Sequence, residues 1–69
     1  MNHMKGEVAQ RTLPSRIGNI RSVLRAERGM REVEFRGDQR KREQKVSEID
    51  FALADLQAIE TELVTKGVI

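Results

Sequence analysis

Cysteine is absent, so neither a disulfide framework nor a thiolate metal site can hold this chain together. Histidine occurs once, at His3, which excludes a histidine-ligated zinc centre. Tryptophan and tyrosine are missing, and the two phenylalanines are not interleaved with the basic residues in the way a base-stacking surface needs. No run approaches the ~18 apolar residues that cross a bilayer, and the N-terminus lacks the apolar stretch of a signal peptide. The expectation is a chain made and used in a cytoplasm-like compartment, with no membrane partner.

What is present is a 69-residue chain that is 38% apolar and 35% charged, with a net charge of +2. That length gives one domain and one small aliphatic core. Cores of this size rarely supply more than ~3–5 kcal/mol, so small domains recruit a staple. With thiols and metals excluded, the staple left is self-association or a partner chain. Carboxylate pairs such as Glu32 with Glu34, or Asp50 with Asp55, could do acid–base work only inside a pocket. A thin core has no surplus with which to wall one. Gly29 and Gly37 stand eight apart without a Gly-Lys-Ser/Thr ending, so there is no phosphate loop. No catalytic, cofactor-binding or metal residue is assigned, and the chain reads as a non-enzyme without cofactors.

Residues 1–12 show no sustained periodicity and read as a flexible arm. Leu13, Ile17, Ile20 and Leu24 recur at helical spacing, predicting a helix over 13–28, with Pro14 suited to its first turn and Gly29 to its stop. Residues 30–46 are ambiguous. Arg31, Val33 and Phe35 alternate with Glu32, Glu34 and Arg36 as a strand would, and Gly37-Asp38 fits a two-residue hairpin turn. The return segment 39–46 has one apolar residue, Val46, among good helix formers, so Asp38 could instead cap a long helix running to Lys66. Residues 47–66 form the clearest helix, with Ile49, Ala52, Leu53, Leu56, Ile59 and Leu63 on one stripe. Gly67 ends it, and Val68 and Ile69 form a short tail.

The candidate core is therefore Leu13, Ile17, Ile20, Leu24, Val33, Phe35, Ile49, Leu53, Leu56, Ile59 and Leu63. Charge is uneven: residues 16–45 carry ten Lys/Arg against five Asp/Glu, and residues 46–69 one Lys against five Asp/Glu. Arg21, Arg25, Arg28, Arg36, Arg40, Lys41 and Arg42 make a candidate basic patch. It is open to three readings: nucleic-acid phosphate, the acidic helix of a second copy, or solvent alone. Phe51 lies about 200° from Ile49 at 100° per residue. With Ala54, Ala58 and the tail residues Val68 and Ile69, it forms the candidate partner interface.

The element order resembles the gpW-like head–tail joining proteins of tailed bacteriophages, small helix–hairpin–helix chains. The likeness runs from about residue 14 to 66 and rests on REVEFRGD followed by Val46-Ser47-Glu48-Ile49-Asp50 and Ala52-Leu53-Ala54-Asp55-Leu56. Residues 39–45 depart from that family's alternating, aromatic-containing second strand. The resemblance implies an α+β helix–β-hairpin–helix fold and a structural virion protein, a head–tail connector ringing the phage neck between portal and tail. Such a protein is assembled in the bacterial host cytoplasm and sits near packaged DNA without reading its sequence. The alternative from the residues themselves is an all-α helical hairpin that dimerises and masks a partner protein or, more weakly, a basic nucleic-acid-binding module.

Overall fold

The structure is a computed structural model and describes residues 11–69. Most of the expected arm, with His3, lies outside the described residues. Two α-helices run antiparallel around one turn: α1, Leu13–Glu34, and α2, Gln39–Thr65. No strand occurs among the described residues. The expected α+β domain is thus corrected to an all-helical hairpin, and the hairpin expected over 30–46 becomes the last turn of α1, a turn, and the first two turns of α2.

Part of the physical reason is local. A two-stranded hairpin is marginal in water without further cover, and the return segment offered Val46 as its one apolar side chain. As helix, the chain gains i,i+4 pairs on both sides of the turn: Arg31 Nε to Glu27 at 3.0 Å and Arg28 to Glu32 at 3.4 Å in α1, and Gln39 Nε2 donating to Glu43 Oε1 at 3.2 Å in the return segment. Gly29, read as a stop, lies inside α1 because its φ is not positive and the helix simply continues through it.

Each helix end is closed by its own residues. Thr12 Oγ1 accepts from the Ser15 N–H at 3.2 Å, and Pro14 sits in the first turn, where its missing N–H costs nothing. Asp38 caps α2, its Oδ1 accepting from the Lys41 N–H at 3.1 Å, the role open to it once the strand reading is set aside. At the far end Gly67 adopts φ 76°. Its N–H bonds the Val64 carbonyl at 3.0 Å and the Val68 N–H bonds that of Leu63 at 2.9 Å, the paired closure that a left-handed residue allows.

The interior is small. Among the described residues Ile17, Val46, Ile49 and Leu56 are buried apolar side chains. Leu24, Phe35, Leu53 and Leu63 are half-buried. Val46 was not among the expected core residues, because as a strand end it had no stripe; in a helix it stands three residues before Ile49 and begins one. Leu13, Ile20, Val33 and Ile59, expected inside, are exposed. Val33 follows from the change of period: a strand places it with Phe35, whereas a helix turns it about 200° away. The other three share their stripes' periodicity, but a helix with a single neighbour can bury only the centre of its stripe.

Three substitutions check this account by thermal or urea melting. Leu56→Ala should cost about 2 kcal/mol or more, as for other buried leucines. Gly29→Ala should stabilise by about 0.5–1 kcal/mol, since a Cβ there meets nothing within 4 Å and the helix gains propensity. Gly67→Ala should cost about 1 kcal/mol although space is equally open, because φ 76° strains any L side chain. A destabilising Gly29→Ala would place a second chain against that backbone.

Candidate interaction surface

The contact stripe of α1 reads Ile17, Arg21, Leu24, Arg28, Arg31 and Phe35, alternating three and four residues along the side that meets α2. Its arginines cross to carboxylates on α2. Arg21 Nη2 donates to Glu60 Oε1 at 2.6 Å and to Gln57 Oε1 at 3.3 Å. Arg28 grips Asp50 with two bonds, Nε to Oδ1 at 2.7 Å and Nη2 to Oδ2 at 3.4 Å. Arg31 Nη1 donates to Glu48 Oε1 at 2.7 Å and to the Lys45 carbonyl at 2.8 Å.

The Arg28 guanidinium pKa is raised, first by its hydrogen bond to Asp50 and then by that carboxylate's charge. Arg31 is raised by hydrogen bonds to Glu27 and Glu48. A cation whose pKa rises on folding stabilises at every pH below its unfolded value, which for arginine covers the whole working range.

These pairs divide the candidate basic patch. Arg21 and Arg28 are neutralised across the hairpin. Among the described residues, Arg25, Arg36, Arg40, Lys41 and Arg42 have no carboxylate within ion-pair distance. Four of these five gather at the closed end of the hairpin. There Arg42 Nη1 donates to the Arg36 carbonyl at 3.1 Å. The Lys41 and Lys45 ammoniums lie 5.6 and 6.0 Å from the Phe35 ring centre, a cation–π arrangement that gives the half-buried ring polar cover.

The same pairs identify the two open faces of the hairpin. Arg21 and Arg28 bridge on one side of the helix–helix seam, and Arg31 with Glu27 and Glu48 on the other. On the Arg31 side, Ile20 precedes Glu27 by two turns and Leu13 precedes Ile20 by two more, with Val23 at the outer edge. On α2, Glu48 is followed on that side by Ala52, Ile59 and Leu63. The register set by Arg21 and Glu60 brings Ile20 level with Ile59. Ile20 is 47% exposed and Ile59 52%. The hairpin thus carries an apolar face, built mostly from residues expected in its core.

The expected partner interface lies elsewhere. Phe51, 72% exposed, is on the outer side of α2 with the exposed Ala54 and Ala58. Val68 is exposed and Ile69 half-buried at the open end, so the structure does not gather the five into one surface. Sequence reading missed the Ile20–Ile59 face because periodicity does not report how many neighbours a helix has. Among the described residues there is no pocket, and no cluster of three His, Cys, Asp or Glu side chains that could hold a metal ion. No helix among them is long and apolar enough to cross a membrane. No family model, curated protein or solved structure matches this chain.

A charge swap tests one of the bridges that set the register. Arg28→Asp should lower the melting temperature, as should Asp50→Arg, and the two together should recover most of the loss. A double variant no better than the worse single would show that the pair does not set the register.

Proposed function

We propose that this chain is a non-catalytic docking module: a helical hairpin that presents the face of Leu13, Ile20, Val23, Ile59 and Leu63 to another helical surface and covers it. The observation that carries this reading is the level pair Ile20 and Ile59, two aliphatic side chains about half exposed on one face, beside so small a set of buried ones. Contiguous exposed apolar surface on a small soluble chain marks an interaction site, and packing two helices against two more is the ordinary way to cover it. The rim suits that role, since Arg31, Glu27, Glu48 and Lys45 stand at the closed-end edge of the face and can pair with or repel what docks there.

The head–tail connector reading drew on a helix–strand hairpin–helix order. With residues 30–46 forming helix and turn, that order is lacking, and the helical-hairpin alternative is the one adopted. No specific observation favours base recognition, so the nucleic-acid reading is not carried further.

A photoreactive residue placed at position 20 tests the proposal in cells. It should give protein cross-links that disappear when Ile59→Asp is added, while the same probe at Arg25, exposed on the opposite side of α1, should give few. Equal cross-linking from both positions, or none from position 20, would overturn the reading. Phe51→Ser, on the outer side of α2, should leave the position-20 cross-links unchanged.

A further inference from the structure

We infer that the partner covering this face is a second copy of the chain, related by a two-fold axis that runs along the length of the hairpin, so that the two open ends lie together. The inference rests on the docking reading above and adds to it the identity and direction of the occupant.

The face is divided along its length. Its open-end half is aliphatic: Leu13, Ile20 and Val23 of α1 stand beside Ile59 and Leu63 of α2, all but Leu63 exposed. Its closed-end half is charged, with Met30 at the outer edge. There α1 presents Glu27, Arg31 and Glu34, and α2 presents Lys41, Lys45 and Glu48, each set at three- and four-residue spacing. These charges balance as a whole, yet the α1 edge is net acidic and the α2 edge net basic. Arg31 already holds Glu27 and Glu48. Glu34, Lys41 and Lys45 form no ion pair among the described residues. Their charges remain for an occupant.

A matching partner must be aliphatic at one end, charged at the other, and opposite in sign across its width. The chain itself meets those terms when turned about a lengthwise axis. That operation lays α1 of each copy against α2 of the other at the same level, which the Arg21–Glu60 and Arg31–Glu48 bridges define. Ile20 then faces Ile59 of the other copy, and a layer of four isoleucines closes between the hairpins. Leu13 falls within a turn of Leu63. Glu34 comes level with Lys45, which sets the acidic edge on the basic one. Ala52 stands opposite Glu27, and its short side chain leaves room for that carboxylate where Arg31 holds it. The contacts are the same in both copies, as an isologous interface requires. Every helix gains antiparallel neighbours, as in a four-helix bundle. Arg16, the cation of α1 on the aliphatic half, comes level with Leu63 near the open end, where its stem can lie over the leucine and its head in water. A copy turned end for end fails, because it sets Lys45 against Ile59.

Because the chain has no native cysteine, single cysteines report direction cleanly. Purified protein should sediment as a dimer. Ile59→Cys protein should cross-link through a short bismaleimide when mixed with Val23→Cys protein, and should not when mixed with Lys45→Cys protein. The reverse result would overturn the lengthwise axis. Glu34→Lys or Lys45→Glu alone should raise the dissociation constant about tenfold, and the two together should bring it back. Each reversal puts on its helix the sign that the nearer end favours, so the monomer stays folded. A double variant as weak as the singles would overturn the match of acidic edge to basic edge. A chain that stays monomeric to millimolar concentration would exclude a second copy altogether. In that case the labelling rate of Ile20→Cys separates the two proposals: fast labelling leaves the face open for a different protein, and slow labelling removes the docking reading as well.

Discussion

Guanidinium–carboxylate bridges across the seam between α1 and α2 are the interactions on which the rest of the structure depends. Apolar contact is non-directional, and two amphipathic helices can slide or roll along one another at little cost. Arg21 to Glu60, Arg28 to Asp50 and Arg31 to Glu48 remove that freedom by tying three levels of α1 to three of α2. They lie on both sides of the seam, so they fix rotation as well as register. Each arginine occupies a contact-stripe position where a larger bundle would hold leucine. Its stem lies along the apolar seam while its head reaches the carboxylate at the edge.

That choice has a consequence for packing. Arginines at three of the six contact positions of α1 leave few places for buried aliphatic side chains, and Ile17, Val46, Ile49 and Leu56 fill those among the described residues. Leu24, Phe35 and Leu53 stay half-buried along the seam, and Ile20 and Ile59 are displaced to the flank, where they meet at one level on the face beyond Arg31. Folding and docking thus draw on the same periodic pattern, the centre of each stripe closing the hairpin and its edge facing outward. A chain arranged this way has reason to be more stable when that edge is covered, which links its thin interior to its proposed role.

The electrostatics divide similarly. Acids on α2 serve the hairpin by receiving Arg21, Arg28 and Arg31, whereas Arg36, Arg40, Lys41 and Arg42 form no ion pair among the described residues. Their crowding at the start of α2 opposes the helix dipole, and Asp38 offsets part of that as both cap and anion. Phe35 anchors the turn beneath Lys41 and Lys45, giving the closed end a definite shape despite its charge.

Sequence alone determined the parts of this protein governed by residues near one another. The stripe from Ile49 to Leu63, the use of Pro14 in a first turn and of Gly67 as a stop, the absence of any thiol staple and the opposed charges of the two halves were all legible, because each depends on spacing or on backbone preference over a few residues. Tertiary structure decided the state of residues 30–46. Arg31, Val33 and Phe35 satisfy a period of two as well as they tolerate a helix, and what separates the two outcomes is the reach of Arg31 to Glu48 and to the Lys45 carbonyl, 14 to 17 residues away. It also decided which apolar residues lie inside. Ile20 repeats at the same helical interval as Ile17, and Ile59 as Leu56, but a helix with one neighbour buries a single line of side chains, and only the packed pair shows where that line falls.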